Sequence, residues 1–157
     1  MGTTRRDVLK TGGGASVLAL LAAAGWLTPG EAAAQAWNKA AFEAKTMDEA
    51  LKAIGGSTPA QSKDIAFVST PDIAENGAVV PIGVTSAIPK TESIAILIEK
   101  NPAILTASFD IPQGTDPAIT TRVKMGQSSN VYALVKADGK YYVASKEIKV
   151  TLGGCGG

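Results

Sequence analysis

Beyond residue 59 the hydrophobic positions fall in short runs rich in β-branched residues, and clusters of turn-forming residues separate these runs. This pattern is typical of consecutive β-strands. It predicts seven strands, at residues 64–69, 78–88, 94–99, 104–110, 120–125, 131–137 and 140–152. Asp138-Gly139 lies between two alternating runs and is a strong two-residue hairpin signal, which favours antiparallel pairing. Seven short antiparallel strands predict a mostly β fold, an immunoglobulin-like β-sandwich.

A helical pattern precedes these strands, between residues 37 and 56. Thr46 and Glu49 have the spacing of a capping box, and Gly55 provides a stop signal. Four apolar residues share one helical face: Met47, Ala50, Leu51 and Ile54. The sequence therefore predicts one short N-terminal helix before the sandwich.

The last predicted strand has a two-residue period that continues almost to the C-terminus. Its apolar face consists of Tyr142, Ala144, Ile148, Val150 and Leu152, and Lys146 is the only charged residue on that face. We expect this strand to anchor the C-terminal segment to the core. Pro81 lies inside an earlier run. Because proline cannot donate to a sheet ladder, we expect that strand to be an edge strand, bulged or interrupted.

The N-terminus has the pattern of an export signal. Arg5 and Arg6 stand in a segment that resembles the twin-arginine motif, and an apolar stretch at residues 15–27 follows. That stretch is shorter than the roughly 20 residues that a transmembrane helix needs, and small residues suited to signal cleavage come after it. We expect cleavage after Ala34 or Ala36 and a periplasmic mature protein, with an uncleaved membrane anchor as the alternative. The predicted parts are a signal peptide (1–36), a β-sandwich domain (37–152) and a flexible arm (153–157).

The composition excludes several classes of active site. The chain has 157 residues, 15 Lys and Arg, 14 Asp and Glu, one cysteine and no histidine. With no histidine and a single cysteine, the chain cannot form a Ser-His-Asp triad, a Cys-His pair or a histidine- or cysteine-rich zinc site. The nearly balanced charge gives no electrostatic reason to expect nucleic acid or a membrane surface as a partner. We therefore expect no metal, no cofactor and a single domain of ordinary size.

The only cysteine, Cys155, stands among four glycines: Gly153, Gly154, Gly156 and Gly157. Glycine has no side chain to shield the thiol and opens backbone conformations that other residues avoid, so we expect this segment to be slender, flexible and exposed. Fully extended, the chain from Leu152 to Cys155 covers roughly 10 Å, enough to place a sulfur atom in the active site of another protein. Because catalytic groups must be held rigidly, this segment indicates a carrier arm with Cys155 as the attachment point. An exposed thiol in an oxidising compartment should also form disulfide-linked homodimers.

Several segments resemble the SoxY family of sulfur carriers. They are residues 74–81 (Ala-Glu-Asn-Gly-Ala-Val-Val-Pro), residues 101–102 (Asn-Pro), residues 121–124 (Thr-Arg-Val-Lys) and the Gly-Gly-Cys-Gly-Gly terminus. The resemblance implies an immunoglobulin-like sandwich that forms a heterodimer with a SoxZ-like subunit and is not itself an enzyme. It also implies that Cys155 holds the sulfur intermediates of thiosulfate oxidation. The c-type haem enzyme SoxAX would conjugate thiosulfate to the thiol, the hydrolase SoxB would release sulfate, and a sulfane dehydrogenase would oxidise the remaining sulfur.

Other interpretations remain open. The main alternative is a structural or interaction β-sandwich domain with a disulfide-forming tail. Ubiquitin-like sulfur carriers also end in Gly-Gly, but they need ATP-driven adenylation in the cytoplasm, which the export signal disfavours. A small enzyme would depend on carboxylates alone, and the sequence offers no paired constellation of them. Turn chemistry accounts for Asn76-Gly77 and Asp138-Gly139, whereas Arg122 and Lys124 indicate a solvated face, with partner binding as the alternative.

Overall fold

The computed structural model describes residues 38–56 and 58–151. The predicted signal peptide and arm, including Arg5, Arg6, Cys155 and the four glycines around it, lie outside these residues. The described helices are α1 (Lys39–Glu43) and α2 (Met47–Ile54), and neither is long and apolar enough to cross a membrane. The described strands are β1 (Ala60–Gln61), β2 (Ile65–Val68), β3 (Ile73–Ala74), β4 (Val80–Ser86), β5 (Thr91–Ile98), β6 (Leu105–Asp110), β7 (Ala118–Val123), β8 (Ser129–Ala137) and β9 (Lys140–Val150).

The strands form two sheets. The larger sheet has the order β1-β9-β8-β5-β6, with β3 also paired to β9, and the smaller sheet has the order β2-β4-β7. All pairs are antiparallel except those of β1 and β3 with β9, which are parallel. The predicted mostly β, two-sheet fold is confirmed, and each of the seven predicted strands overlaps an observed one. The sequence does not predict β1 and β3, because two residues give no visible period.

Apolar side chains from both sheets fill the space between them. The fully buried ones include Val80, Ile82 and Val84 of β4, Ile94, Ile96 and Ile98 of β5, and Val131 and Val135 of β8. β9 contributes Ile148, which is fully buried, and Tyr142, Ala144 and Val150 pack partly buried against the same core. The apolar face predicted for the last strand is therefore confirmed over its described residues.

A second apolar cluster lies on the opposite face of the larger sheet, against the helices. It contains Leu97, Leu134 and Val143 from the sheet, and Ala41 and Ala50 from α1 and α2. The larger sheet is thus covered on both faces. This explains why the residues of β5 from 94 to 98 are all apolar and all buried, since a strand covered on both faces has no polar side to alternate with.

The N-terminal helical segment contains two helices rather than the one predicted. α1 begins after Asn38, whose side-chain oxygen accepts a hydrogen bond from the N–H of Ala41 at 3.1 Å. The predicted capping box is present, but it begins α2: Thr46 Oγ1 accepts from the N–H of Glu49, and Glu49 Oε2 accepts from the N–H of Thr46, both at 3.2 Å. Gly55 ends α2 with φ 88°, as predicted. The cap at Thr46 begins a new helix, so the segment predicted as one helix forms two.

Of the alternatives expected at Pro81, an edge strand is wrong, because β4 is the central strand of the smaller sheet. Pro81 is opposite Arg122 of β7, whereas β2 pairs with β4 only from Gly83 onward. The N–H of Gly83 donates to the hydroxyl of Thr70, just after β2, at 3.0 Å. Since alternate residues of a strand direct their N–H groups to the same side, the nitrogen of Pro81 faces the space past the end of β2. The missing donor therefore interrupts no ladder.

Asp138 and Gly139 connect β8 to β9, which confirms the predicted hairpin. Both have positive φ, 49° and 72°, and this is the turn geometry whose twist matches the two strands of a hairpin. Ala137 and Lys140 are the pair that closes the turn. The connection lies at the opposite end of β9 from the residues that lead to Cys155.

Candidate functional site

The last described residues of β9 lead toward Cys155, and we call Lys149, Val150 and Thr151 the arm root. On one edge, the parallel strand β3 holds the arm root in place. The N–H of Lys149 donates to the carbonyl oxygen of Asp72 at 2.9 Å, and the N–H of Thr151 donates to that of Ala74 at 3.0 Å. The backbone is therefore hydrogen-bonded on this side up to the last residue that the structure describes.

On the other edge of the arm root, a serine side chain takes the place of a strand. The pairing of β8 with β9 ends at Ser129 and Ile148, so the backbone of β8 does not extend to Val150. The N–H of Val150 instead donates to Oγ of Ser128 at 2.9 Å, and the same hydroxyl lies 3.5 Å from the carbonyl oxygen of Val150. The Ser128 side chain thus extends the hydrogen-bond ladder to the arm root.

Gly77 packs directly against the arm root. A Cβ atom at this position would overlap the carbonyl oxygen of Met125 and would lie 2.8 Å from Cγ1 of Val150. The carbonyl oxygen of Gly77 accepts a hydrogen bond from the N–H of Met125 at 2.7 Å. Asn76 shapes the turn, because its Oδ1 accepts from the N–H of Ala78 at 2.9 Å. Only glycine fits between this turn and the arm root without a shift of the backbone.

Three of the segments that carry the family resemblance meet at this end of the sandwich. They are residues 74–81, 101–102 and 121–124. Asn101 Nδ2 donates to the carbonyl oxygen of Lys124 at 2.8 Å, which joins the second segment to the third. Pro81 is paired with Arg122, which joins the third segment to the first. The first segment contacts the arm root through Ala74 and Gly77, and the other two segments are connected to it and to each other.

Sequence reasoning missed this arrangement. Asn76-Gly77 is predicted as an ordinary turn without a role in any site, and the structure confirms the turn but also places Gly77 against Val150. A turn signal reports local conformation only, so it does not reveal what packs against the turn. Ser128 has no sequence signal of its own. One usable signal existed, because the turn belongs to the same resemblance as Cys155.

The charged residues near the arm root are of two kinds. Lys146 is engaged: its Nζ lies 3.0 Å from Asp72 Oδ1 and donates to the carbonyl oxygen of Thr70 at 2.6 Å. Arg122 and Lys124 are exposed and form no ion pair within the part of the chain that the structure describes. Their exposure agrees with the predicted solvated face.

The described residues near the arm root do not assemble an acid–base or metal site. No group of three or more acidic or sulfur ligands that could hold a metal occurs among residues 38–56 and 58–151. Burial and the nearby Glu99 carboxylate raise the pKa of Tyr132, so its phenol stays neutral and lies 3.4 Å from that carboxylate. Glu99 also accepts from Asn130 Nδ2 at 3.0 Å. The hydrogen bonds at this end of the sandwich instead hold residues 149–151, the end of β9 and the residue after it.

Comparisons with known proteins give weak similarities and strong ones. Two structures of superoxide reductase (neelaredoxin) from Ignicoccus hospitalis are similar at 17% and 18% identity, with TM-scores of 0.48 and 0.49. These cover 55% and 68% of this chain, and 80% and 93% of the superoxide reductase chains. Similarity at this level has no bearing on function. No curated protein sequence matches the chain.

The strong similarities agree with each other. The model of the family described as sulfur oxidation protein SoxY matches residues 50–155. The solved structure of the sulfur carrier protein SoxY from Chlorobium limicola f. thiosulfatophilum is 38% identical, with a TM-score of 0.62, and the match covers 68% of this chain and 97% of that one. The matched family region runs from α2 through the whole sandwich to Cys155. The chain therefore belongs to the SoxY family of sulfur carrier proteins in sulfur oxidation.

Proposed function

We propose that this protein is a periplasmic sulfur carrier in thiosulfate oxidation, which holds sulfur intermediates covalently on Cys155 and presents them to other enzymes. The observation that best supports this is the hydrogen bonding of the arm root on both edges up to Thr151. An anchor at this position lies close to Cys155 in the sequence, with only residues 152–154 between Thr151 and the cysteine. Fully extended, the four residue-to-residue steps from Thr151 to Cys155 span roughly 14 Å at most. The thiol can therefore enter another protein's active site while the sandwich stays outside.

Carriage on a thiol has defined chemistry. When the sulfur of Cys155 bonds to the outer sulfur of thiosulfate, the thiol loses its proton and the pair loses two electrons, which a c-type haem enzyme of the SoxAX type accepts. The adduct is Cys–S–S–SO3⁻. A SoxB-type hydrolase then adds water to the terminal sulfone, releases sulfate and leaves a persulfide on the cysteine. A sulfane dehydrogenase would oxidise the remaining sulfane sulfur, so the carrier needs no catalytic group of its own.

The same proposal includes the location and the assembly of the protein. The motif around Arg5 and Arg6 supports export by the twin-arginine pathway, and the expected cleavage leaves no membrane segment. Membership of the SoxY family supports a heterodimer with a SoxZ-like subunit. We expect that interface to be permanent and largely apolar. Size-exclusion chromatography of the protein without a partner tests this, because a clean monomer would contradict a permanent assembly.

Intact-protein mass spectrometry tests the carrier function directly. The exported protein is incubated with thiosulfate and the conjugating enzyme, and its mass is compared with that of the Cys155→Ser variant. We expect an adduct of about 112 Da, the mass of the added S2O3 group, that reductant removes as it does any mixed disulfide. The adduct should be absent from Cys155→Ser, which we expect to fold normally because the predicted arm follows the last strand of the sandwich.

A second acceptor protein that the enzyme is known to conjugate serves as the positive control. If that control takes the adduct and wild-type protein does not, the carrier function is wrong. The alternative, a structural or interaction domain with a disulfide-forming tail, would then be favoured. N-terminal sequencing of the exported protein tests the signal peptide separately, since a start at Met1 or Gly2 would contradict cleavage.

A further inference from the structure

We propose that Ser128 and Gly77 are positioning residues for the arm, and that they form, with the carbonyl groups of Asp72 and Ala74, a clamp that fixes where the chain leaves the sandwich. This inference rests on the proposed function, because an exit point matters only if the arm delivers a cargo. It goes further by assigning a role to two residues of the sandwich that lie outside the Gly-Gly-Cys-Gly-Gly segment.

The position of the clamp is the first argument. The ends of strands normally fray because their last residues lack neighbours on one or both edges. Val150 would lack one here, since the pairing with β8 ends at Ile148. The Ser128 hydroxyl supplies the missing acceptor at 2.9 Å, while β3 supplies acceptors for both residues that flank Val150. All three N–H groups of the arm root are therefore hydrogen-bonded.

The packing of Gly77 is the second argument. Because its backbone lies against Val150 Cγ1 and Met125, the 75–79 turn closes one side of the arm root with no space for a side chain. The hydrogen bond from Met125 to Gly77 fixes the turn to the end of the smaller sheet. The arm root, at the end of the larger sheet, is thus also packed against a turn that is fixed to the end of the smaller sheet.

The distance along the sequence from the clamp to Cys155 is the third argument. With the clamp closed, Cys155 is four positions beyond the last held residue, Thr151; if residues 149–151 frayed, it would be seven positions beyond Ile148. The effective concentration of a tethered group falls roughly as the −3/2 power of tether length, which alone gives about a twofold loss. Ordering three further residues when the arm enters an enzyme adds to that loss. We therefore expect an opened clamp to slow enzymatic conjugation about two- to tenfold.

The test uses the full exported protein and the variants Ser128→Ala and Gly77→Ala. Matched controls are Ser108→Ala, an exposed serine on β6, and Gly126→Ala, where a Cβ would meet nothing within 4 Å. Hydrogen exchange measures how fast the amide hydrogens of the arm root exchange with solvent and, for comparison, those of residues 94–98 in the core. The rate at which Cys155 reacts with a small disulfide reagent and the rate at which the conjugating enzyme modifies it are measured side by side. Ser128→Thr, which keeps the hydroxyl, should restore the wild-type values.

In Ser128→Ala and Gly77→Ala we expect the amide hydrogens of the arm root to exchange at least about tenfold faster than in wild type. Exchange in the core and the reactivity of Cys155 with the small reagent should stay unchanged, whereas enzymatic conjugation should be slower. A variant with three glycines inserted between Leu152 and Gly153 should slow conjugation similarly without faster exchange. Unchanged exchange in Ser128→Ala would show that there is no clamp. Faster exchange with an unchanged rate of conjugation would show that the clamp stabilises the end of β9 but does not position the arm. If wild type takes no adduct at all, the carrier function and the positioning role fail together, whereas failure of the clamp alone leaves the adduct intact.

Discussion

The ammonium group of Lys146 donates a hydrogen bond of 2.6 Å to the backbone carbonyl of Thr70. Lys146 is the single charge on the face of β9 that otherwise supplies the core, and this contact explains its presence there. Thr70 is itself buried, and its hydroxyl accepts from the N–H of Gly83 in β4 at 3.0 Å. The contact therefore connects β9 of the larger sheet to β4 of the smaller one through a single residue between them.

We predict that Lys146→Met lowers the free energy of unfolding by about 1.5–3 kcal/mol, because it removes a charge-assisted hydrogen bond and leaves a largely enclosed carbonyl without its donor. Asp72→Asn should cost less, about 0–1 kcal/mol, since the Asp72 side chain is 88% exposed in its ion pair with Lys146. Urea denaturation measures both. Lys149→Met, on the same strand, is the control and should stay within about 0.5 kcal/mol of wild type. Equal losses for Lys146 and Lys149 would contradict the assignment.

Gly83 and Gly126 should respond in opposite ways to alanine. A Cβ at Gly83 would overlap the carbonyl oxygen of Val68, so Gly83→Ala should lower the free energy of unfolding by about 1–3 kcal/mol. Gly126 has open space around it and no positive φ. Gly126→Ala should therefore be neutral, or stabilising by about 0.4–1 kcal/mol through the unfolded chain. Thermal or urea unfolding of the two variants compares them, and similar values would contradict the crowding at Gly83.

The capping box makes stability depend on pH in the acid range. Hydrogen bonds from the backbone N–H groups of Lys45 and Thr46 lower the pKa of Glu49 below its ordinary value. A lowered folded-state pKa means that the contribution is complete above the unfolded value and is lost as pH falls through the folded one. Glu49→Gln should therefore be less stable than wild type at neutral pH, with the difference shrinking as the pH falls below the ordinary pKa of a glutamate and through the lowered pKa of Glu49. Glu147→Gln, at an exposed position of β9, is the charge-matched control for denaturation midpoints across this range.

Air oxidation of the purified protein should produce covalent dimers through Cys155. The chain has one cysteine, so a disulfide between two copies must link Cys155 of one copy to Cys155 of the other. Non-reducing electrophoresis without thiol-blocking agents measures this, and reductant should return the protein to its monomer size. Cys155→Ser is the control and should show no dimer. A wild-type band that stays monomeric under these conditions would indicate that the thiol is less accessible than its glycine neighbours imply.

Local patterns predicted much of the fold because each depends on neighbouring residues. The capping box of Thr46 and Glu49 and the hairpin at Asp138-Gly139 are present in the structure because cap and turn chemistry act within a few residues. The error at Pro81 has a different origin. Whether proline breaks a ladder depends on where the neighbouring strand ends, and β2 ends before it reaches Pro81.

The surroundings of the arm root could not be predicted from the sequence. They depend on hydrogen bonds between residues far apart in the chain, such as Asn101 with Lys124 and Ser128 with Val150, at separations of 23 and 22 residues. Those contacts depend on how several strands are aligned with one another, and the local pattern of hydrophobic and polar residues does not reveal that register. Cys155 could be singled out without any structure, because its chemistry and its glycine neighbours are visible in the sequence alone.

The pairing of β9 also has a mechanical consequence. β8 lies beside β9 along nearly its whole length, and β1 and β3 pair with it at its two ends. Since the hydrogen bonds between strands run across the strand direction, a pull on the chain beyond Thr151 along the axis of β9 loads many of them together in shear rather than opening them one at a time. A force applied to the arm when another protein binds or releases it would therefore be resisted by many hydrogen bonds of β9 at once and distributed over the strands beside β9.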